Sequence, residues 1–273
     1  MKKRILCFAV LLVFCVSLFG CQISKKNEEP NVAPTVRVTL PEGYTLVKMA
    51  WAFEEAGLFS TQEFLDAAKS YDFSKYDFLA DSVNEINICF KLEGYLSPNT
   101  YEFYVGDTPE QVITKLLDQR KDELTDAVKN RAKELNMTIH QVLTLASLIE
   151  KETYNSEDKA KVSSVFHNRL NADAKSGNPT RLQTNTTDNY AKYVIGVVYP
   201  DSVEYYEKFY NTYTCVGLPI GPICNPSLSS IMAALYPDDT DYYYFAITQN
   251  DSKYAKDYET HKANCKALGL SNY

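Results

Sequence analysis

Two carboxylates separated by one lysine, Glu150-Lys151-Glu152, close a segment in which Val142, Leu145, Ala146 and Ile149 recur at helical spacing. Thr138-Ile139-His140-Gln141, just ahead, has the spacing of a capping box, so a helix is expected to start there and to end at the glutamates. Glu150 adjoins Ile149, the last core residue, at the border between apolar face and solvent. A carboxyl group so placed is partly desolvated, which raises its pKa and lets it hold a proton near neutral pH for general acid catalysis. The same triplet at a helix end also reads as an ordinary solvated face. Glu152 points to a different side of the helix and is expected to be structural or to support Glu150.

Other chemistries find little footing. The chain of 273 residues holds 3 histidines and has no Cys-x-x-Cys, so zinc fingers and thioredoxin-type redox chemistry are poorly supported, and no metal or cofactor is expected. No nucleophilic triad or phosphate-cradling loop is apparent. A net charge of −7 lacks the basic footprint of a nucleic-acid binder, so no nucleic-acid partner is expected. The 21 tyrosines against 10 glycines offer flat faces with a hydroxyl tip, suited to sugar binding and equally to packing beneath a wet surface.

The elements that must position these groups can be read along the chain. Val36 to Leu40 alternates as a short strand, and Thr45 to Gly57 and Thr61 to Ala68 show helical spacing, giving a small β-α-α unit comparable to a LysM module. Leu92 to Phe103 is too aromatic and turn-rich for a helix. Thr108 to Asn136 reads as helix, opened by Thr108-Pro109-Glu110-Gln111. After the glutamates comes a helix from Glu157 to Leu170, then a polar loop, Arg181-Leu182-Gln183-Thr184-Asn185-Thr186-Thr187, without aliphatic periodicity. Ordered polar loops of this kind are functional more often than core elements are. A proline-stiffened wall, Gly217 to Pro226, leads into a helix to Leu235, a strand over Asp241 to Ile247, and a closing helix containing His261.

Lys2, Lys3 and Arg4 precede an apolar run from Ile5 to Gly20, which reads as a secretory signal. Leu18-Phe19-Gly20-Cys21 resembles a bacterial lipobox, implying lipid on Cys21; an uncleaved signal anchor is the alternative, and both place the remainder outside the cytoplasmic membrane. Gln22 to Thr35 is a polar tether. Cys215 and Cys224 bracket a short loop and could pair in an oxidising compartment, or remain buried free thiols.

The ordered set of segments resembles the YceG-like family. It is carried by the module Val38 to Ala67, Leu92-Glu93-Gly94-Tyr95 through Tyr101-Glu102-Phe103, Ala146 to Thr153, Arg181-Leu182-Gln183-Thr184, Tyr210-Asn211-Thr212-Tyr213, Gly217-Leu218-Pro219 and Pro222 to Pro226. The resemblance implies an α+β protein: a signal with lipobox (1–20), a tether (21–35), a LysM-like module (36–85) and a mixed α/β catalytic domain (86–273). It implies an endolytic peptidoglycan lytic transglycosylase that limits nascent strand length, with glycan strands, the membrane surface and penicillin-binding proteins as partners. The acid falls on Glu150. Arg181, Gln183, Thr184, Tyr95, Tyr101, Tyr213 and Asn225 are expected to bind or flank the glycan, and His261 and Glu152 to support the site. Where the family usually has Asp-Pro-Thr after Arg-Leu-Gln-Thr, this chain has Asn185-Thr186-Thr187, which keeps open a catalytically weak, lipid-anchored glycan-binding protein.

Overall fold

The computed structural model describes residues 33–172, 177 and 180–270. The signal, the lipobox cysteine and nearly all of the tether lie outside them. Among the described residues no helix is long and apolar enough to cross a membrane.

Strand β1 (Thr35–Thr39) pairs antiparallel with β2 (Thr100–Tyr104), Val38 opposite Tyr101 and Val36 opposite Phe103. Alternation therefore puts one apolar face of the ribbon against the helices that follow β1. Helix α1 (Leu46–Glu55) is capped by the Thr45 hydroxyl, which accepts from the Lys48 amide, and it buries Leu46, Val47, Met49, Ala50 and Phe53. Helix α2 (Thr61–Ser70) opens with a reciprocal capping box between Ser60 and Glu63. The Phe53 ring lies 5.1 Å from that of Phe64 and 5.6 Å from that of Phe103, so α1, α2 and β2 share one aromatic cluster. Truncating Phe53 to alanine would cost about 3–5 kcal/mol.

The stretch expected as one helix over Thr108 to Asn136 is two. Helix α3 (Pro109–Glu123) stops at Leu124, and Thr125 turns outward to cap α4 (Asp126–Glu134) by accepting from the Val128 amide. A threonine side chain competing for the backbone is what breaks the run. Buried Arg120 of α3 pairs with Glu123 at 2.7 Å and donates to the Pro226 carbonyl at 2.8 Å.

Helix α5 (Ile139–Glu152) begins with the capping box of Thr138 and Gln141, and every residue from Val142 to Ile149 is buried. Helix α6 (Lys159–Asn171) packs beside it. The supposed polar loop instead ends in a short helix, α7 (Asn185–Tyr190), started by the Thr184 hydroxyl. Helix α8 (Val203–Tyr210) follows, then α9 (Leu228–Leu235), which lies against α5. Strands β3 (Tyr244–Ile247) and β4 (Ser252–Ala255) form a second antiparallel ribbon, against which α10 (Tyr258–Ala267) packs.

The Asn225 region ties early and late chain together. The Gly43 amide donates to the Asn225 carbonyl at 3.0 Å, and the Asn225 amide donates to the Tyr44 carbonyl at 2.8 Å. Gly94 has φ +87°, and a Cβ there would collide with the Pro222 ring, so this wall needs glycine on both counts. Cys89, Cys215, Cys224 and Cys265 are free thiols.

Candidate active site

The last turn of α5 carries both glutamates, about 200° apart around the helix axis. Glu150 turns toward the start of α9. Its Oε2 accepts from the Ser227 amide at 3.0 Å and from the Ser227 and Ser230 hydroxyls at 2.6 Å each. Lys159 Nζ approaches the same oxygen at 3.2 Å, and both side chains are under a tenth exposed. The ammonium is also bound by the Ser227 and Ser229 hydroxyls. Burial alone would raise the Glu150 pKa, but the two serine hydroxyls, Lys159 and the Ser227 amide outweigh it and hold the group below the ordinary carboxylate value. Placed at the N-terminus of α9, Glu150 therefore has its charged form favoured by its neighbours, opposite in direction to the raised pKa expected from its border position.

Glu152 faces the other way, into a pocket of about 430 Å³. The hydroxyls of Thr184 and Thr186 both donate to its Oε1, the latter at 2.9 Å. Oε2 takes no hydrogen bond among the described residues. Burial raises the Glu152 pKa, and the two threonine hydroxyls and Arg169 offset only part of that rise. Of the two carboxyl groups, Glu152 is the one that lines open space and whose pKa is raised rather than lowered.

The surrounding shell is built from backbone-directed bonds. Gln183 adopts φ +51°, a left-handed conformation unusual for a side chain of its size, and its amide donates to the Thr212 carbonyl at 3.2 Å. Thr184 is fixed by the Thr212 hydroxyl, which accepts from its amide at 3.0 Å, and by Thr187, whose hydroxyl donates to its carbonyl at 2.9 Å. Arg169, from α6, donates through Nε to the Tyr243 carbonyl at 2.7 Å and through a terminal nitrogen to the Leu182 carbonyl. One guanidinium thereby ties the polar segment to the β3 approach, and burial lowers its own pKa to about 10. The His261 ring stacks on Tyr244 at 5.1 Å, and its Nε2 lies 3.6 Å from the Cys265 sulfur.

The pocket thus brings together Glu152, Gln183, Thr184, Tyr213 and His261. Arg181 stands beside it, donating to the Tyr213 carbonyl at 3.1 Å, while the Tyr213 hydroxyl donates to Asn185 Oδ1 at 2.7 Å. Three expected glycan-flanking residues are elsewhere. Tyr95 is wholly buried with its hydroxyl 2.7 Å from His140 Nδ1, and Tyr101 is buried with its hydroxyl donating to the Ser97 carbonyl. Asn225 is also wholly buried, accepting from the Leu96 amide and donating to the Tyr44 carbonyl and to Glu93. Their polar atoms serve the interior, where an unpaired one would be costly. Sequence reading missed Arg169 and Thr186 as parts of the site. Arg169 reads as one more position of a helix, whereas Thr186 stood in view as a departure from Asp-Pro-Thr, with a hydroxyl where proline has none.

Comparison with known proteins agrees with this architecture. A family model described as the YceG-like family matches residues 22–267. A Bacillus subtilis (strain 168) protein named endolytic murein transglycosylase is 36% identical over 222 residues, 78% of this chain and 59% of its own length. A protein of the same name from Streptococcus pneumoniae serotype 2 is 31% identical over 259 residues, covering 87% of this chain and 45% of its own. The chain therefore spans about half the length of these curated relatives. A crystal structure of a yceG-like protein from Listeria monocytogenes superposes with a TM-score of 0.66 at 31% identity, covering 83% of this chain and 74% of that one.

Proposed function

Because the chain belongs to the YceG-like family, we propose that its pocket cuts peptidoglycan glycan strands from within, as an endolytic lytic transglycosylase. The bond broken lies between N-acetylmuramic acid and N-acetylglucosamine, and the product carries a 1,6-anhydro end. The observation that carries this reading is Glu152, whose pKa burial raises and whose Oε2 has no protein partner among the described residues. A hydrolase ordinarily needs a second carboxylate to activate water or to form a covalent intermediate. Among the described residues, no other lining this pocket supplies one.

A lone acid suffices when the sugar provides its own nucleophile. Glu152 gives its proton to the glycosidic oxygen as the C1–O bond breaks. The 6-hydroxyl oxygen of the same muramic acid then bonds to C1, and its proton returns to the Glu152 carboxylate. Thr184 and Thr186 hold Oε1 throughout, leaving Oε2 to exchange the proton. Gln183, Tyr213 and His261 line the space the sugars would occupy. Glu150 serves by fixing the helix end.

In this reading the protein works outside the cytoplasmic membrane, held by lipid on Cys21 near the penicillin-binding proteins that polymerise strands, and it limits nascent strand length. The β1-α1-α2 unit is the LysM-like part. Support for these points comes from the lipobox-like run and the family resemblance.

The test is product analysis by mass spectrometry after incubating the protein with uncrosslinked peptidoglycan. Wild type and, below its melting temperature, Glu150→Gln should form anhydromuramyl ends, and Glu152→Gln none. Full activity of Glu152→Gln would return the acid to Glu150. Retention of glycan with no product from wild type would make this a glycan-binding protein.

A further inference from the structure

A second pocket, of about 350 Å³, adjoins the first, and the two share Lys151 and Thr186 as lining residues. Its wall adds Lys48 from the first turn of α1, with Asn189, Tyr193 and Val194 from the segment at and after α7. Among the described residues two lysines line it and no acidic side chain does, in a chain whose net charge is −7. Lys48 and Lys151 are both exposed. The Lys48 ammonium lies 5.7 Å from the Tyr44 ring centre, and the Lys151 ammonium has a long 3.5 Å contact with the Gly43 carbonyl. Neither ammonium forms an ion pair with a carboxylate among the described residues, and Lys151 acts on buried Glu93 only through its charge, which opposes the rise in the Glu93 pKa. Behind the wall, Tyr190 donates to buried Glu93 at 3.1 Å, and burial pushes Glu93 up to about 8.

We infer that this second pocket binds the carboxylate-bearing peptide branch of the glycan, an inference that rests on the transglycosylase reading. A neutral sugar is gripped by hydroxyl, amide and aromatic groups and has no use for two ammonium ions. The muramic acid of peptidoglycan carries a short peptide on its lactyl group, with small aliphatic side chains and free carboxylates. That branch leaves the strand at the sugar whose C1 is attacked, so its pocket has to adjoin the one holding Glu152. Lys48 and Lys151 supply the charge-assisted bonds, while Tyr193 and Val194 offer apolar surface to the aliphatic side chains. The protein thus prefers strands that still bear their peptides.

Calorimetric binding separates this inference from the reading beneath it. Titration would use a soluble muramyl disaccharide with its peptide, the same disaccharide without it, and the peptide form with its carboxylates amidated. Wild type should bind the carboxylate form about tenfold more tightly than either other, the worth of one charge-assisted contact. Lys48→Gln should shrink that preference, and Lys48→Gln with Lys151→Gln should erase it. Both lysines are exposed, and circular dichroism would confirm that the variants fold. Equal wild-type affinity for all three ligands, or an undiminished preference in the double variant, would overturn the inference. Product analysis on wild type is scored apart: preference without anhydro products sinks the enzymatic reading and leaves the pocket, and products without preference do the reverse.

Discussion

Glu150 and Glu152 leave the same helical turn and end in opposite electrostatic settings. The first shares Lys159 and three donated hydrogen bonds on a single oxygen, which hold it charged. The second keeps a free oxygen over a pocket, where burial favours the protonated form. One lysine in between thus separates two carboxyl groups whose pKa values shift in opposite directions.

Glu150→Gln removes the anion and leaves the Lys159 ammonium buried among serine hydroxyls. Breaking one side of a buried pair costs about 3 kcal/mol or more. Urea unfolding should show a loss of that order, with the midpoint displaced and the slope unchanged. A loss below about 0.5 kcal/mol, the range of ordinary surface substitutions, would contradict the role assigned to this carboxylate.

Thr186→Val deletes a hydroxyl that donates to the Glu152 carboxylate and so stabilises its charged form. Removing it raises the Glu152 pKa. The acid then stays protonated to higher pH, and the alkaline limb of kcat/KM should move up by roughly half to one unit. A downward movement, or none, would separate Glu152 from the limb being measured.

Glu93 is buried beneath α1, its carboxyl accepting from the Leu46 amide at 2.9 Å and 3.1 Å and from Tyr190. Burial raises its pKa to about 8 from an ordinary value of 4.5, against the hydrogen bonds from Leu46 and Tyr190. The folded state then binds the proton more tightly than the unfolded chain. The stability this gives is complete below the unfolded pKa and is lost as pH climbs toward about 8. Glu93→Gln should flatten the fall in unfolding free energy across that window, measured by denaturant titration at a series of pH values.

Tyr95→Phe should leave kcat/KM within about twofold and lower stability by about 1 kcal/mol, since the lost hydroxyl pairs with His140 in the interior. A large kinetic loss without a stability change would place Tyr95 on the substrate after all.

Much of the secondary structure was legible because its signals are local. Thr138 and Gln141 cap a helix over three residues, and alternation in Val36 to Leu40 needs no distant partner. The break at Thr125 was hidden because Leu124 continues the apolar pattern while the threonine side chain takes over the next turn. The surroundings of the two glutamates were not legible for a different reason. With Val142 through Ile149 all buried, periodicity no longer says which side of the last turn meets solvent. Their hydroxyl partners lie 77 and 80 positions away for Glu150 and 32 and 34 for Glu152, beyond the reach of spacing arguments. Tyr95 and Tyr101 were ambiguous by chemistry, because a ring with a hydroxyl tip fits a sugar face and an interior bond equally well.

The paired links between Gly43 or Tyr44 and Asn225 span more than half the chain. A polypeptide made from its N-terminus cannot close them until residue 225 has left the ribosome. Ser227, two residues further on, can deliver its hydroxyl to Glu150 only once it too has been made. Contacts of such sequence separation slow folding. The serine clasp on α5 is therefore completed late in biosynthesis, and a chain stalled or clipped before this point retains Lys159, Thr184 and Thr186 at its glutamate turn but lacks Ser227 and Ser230.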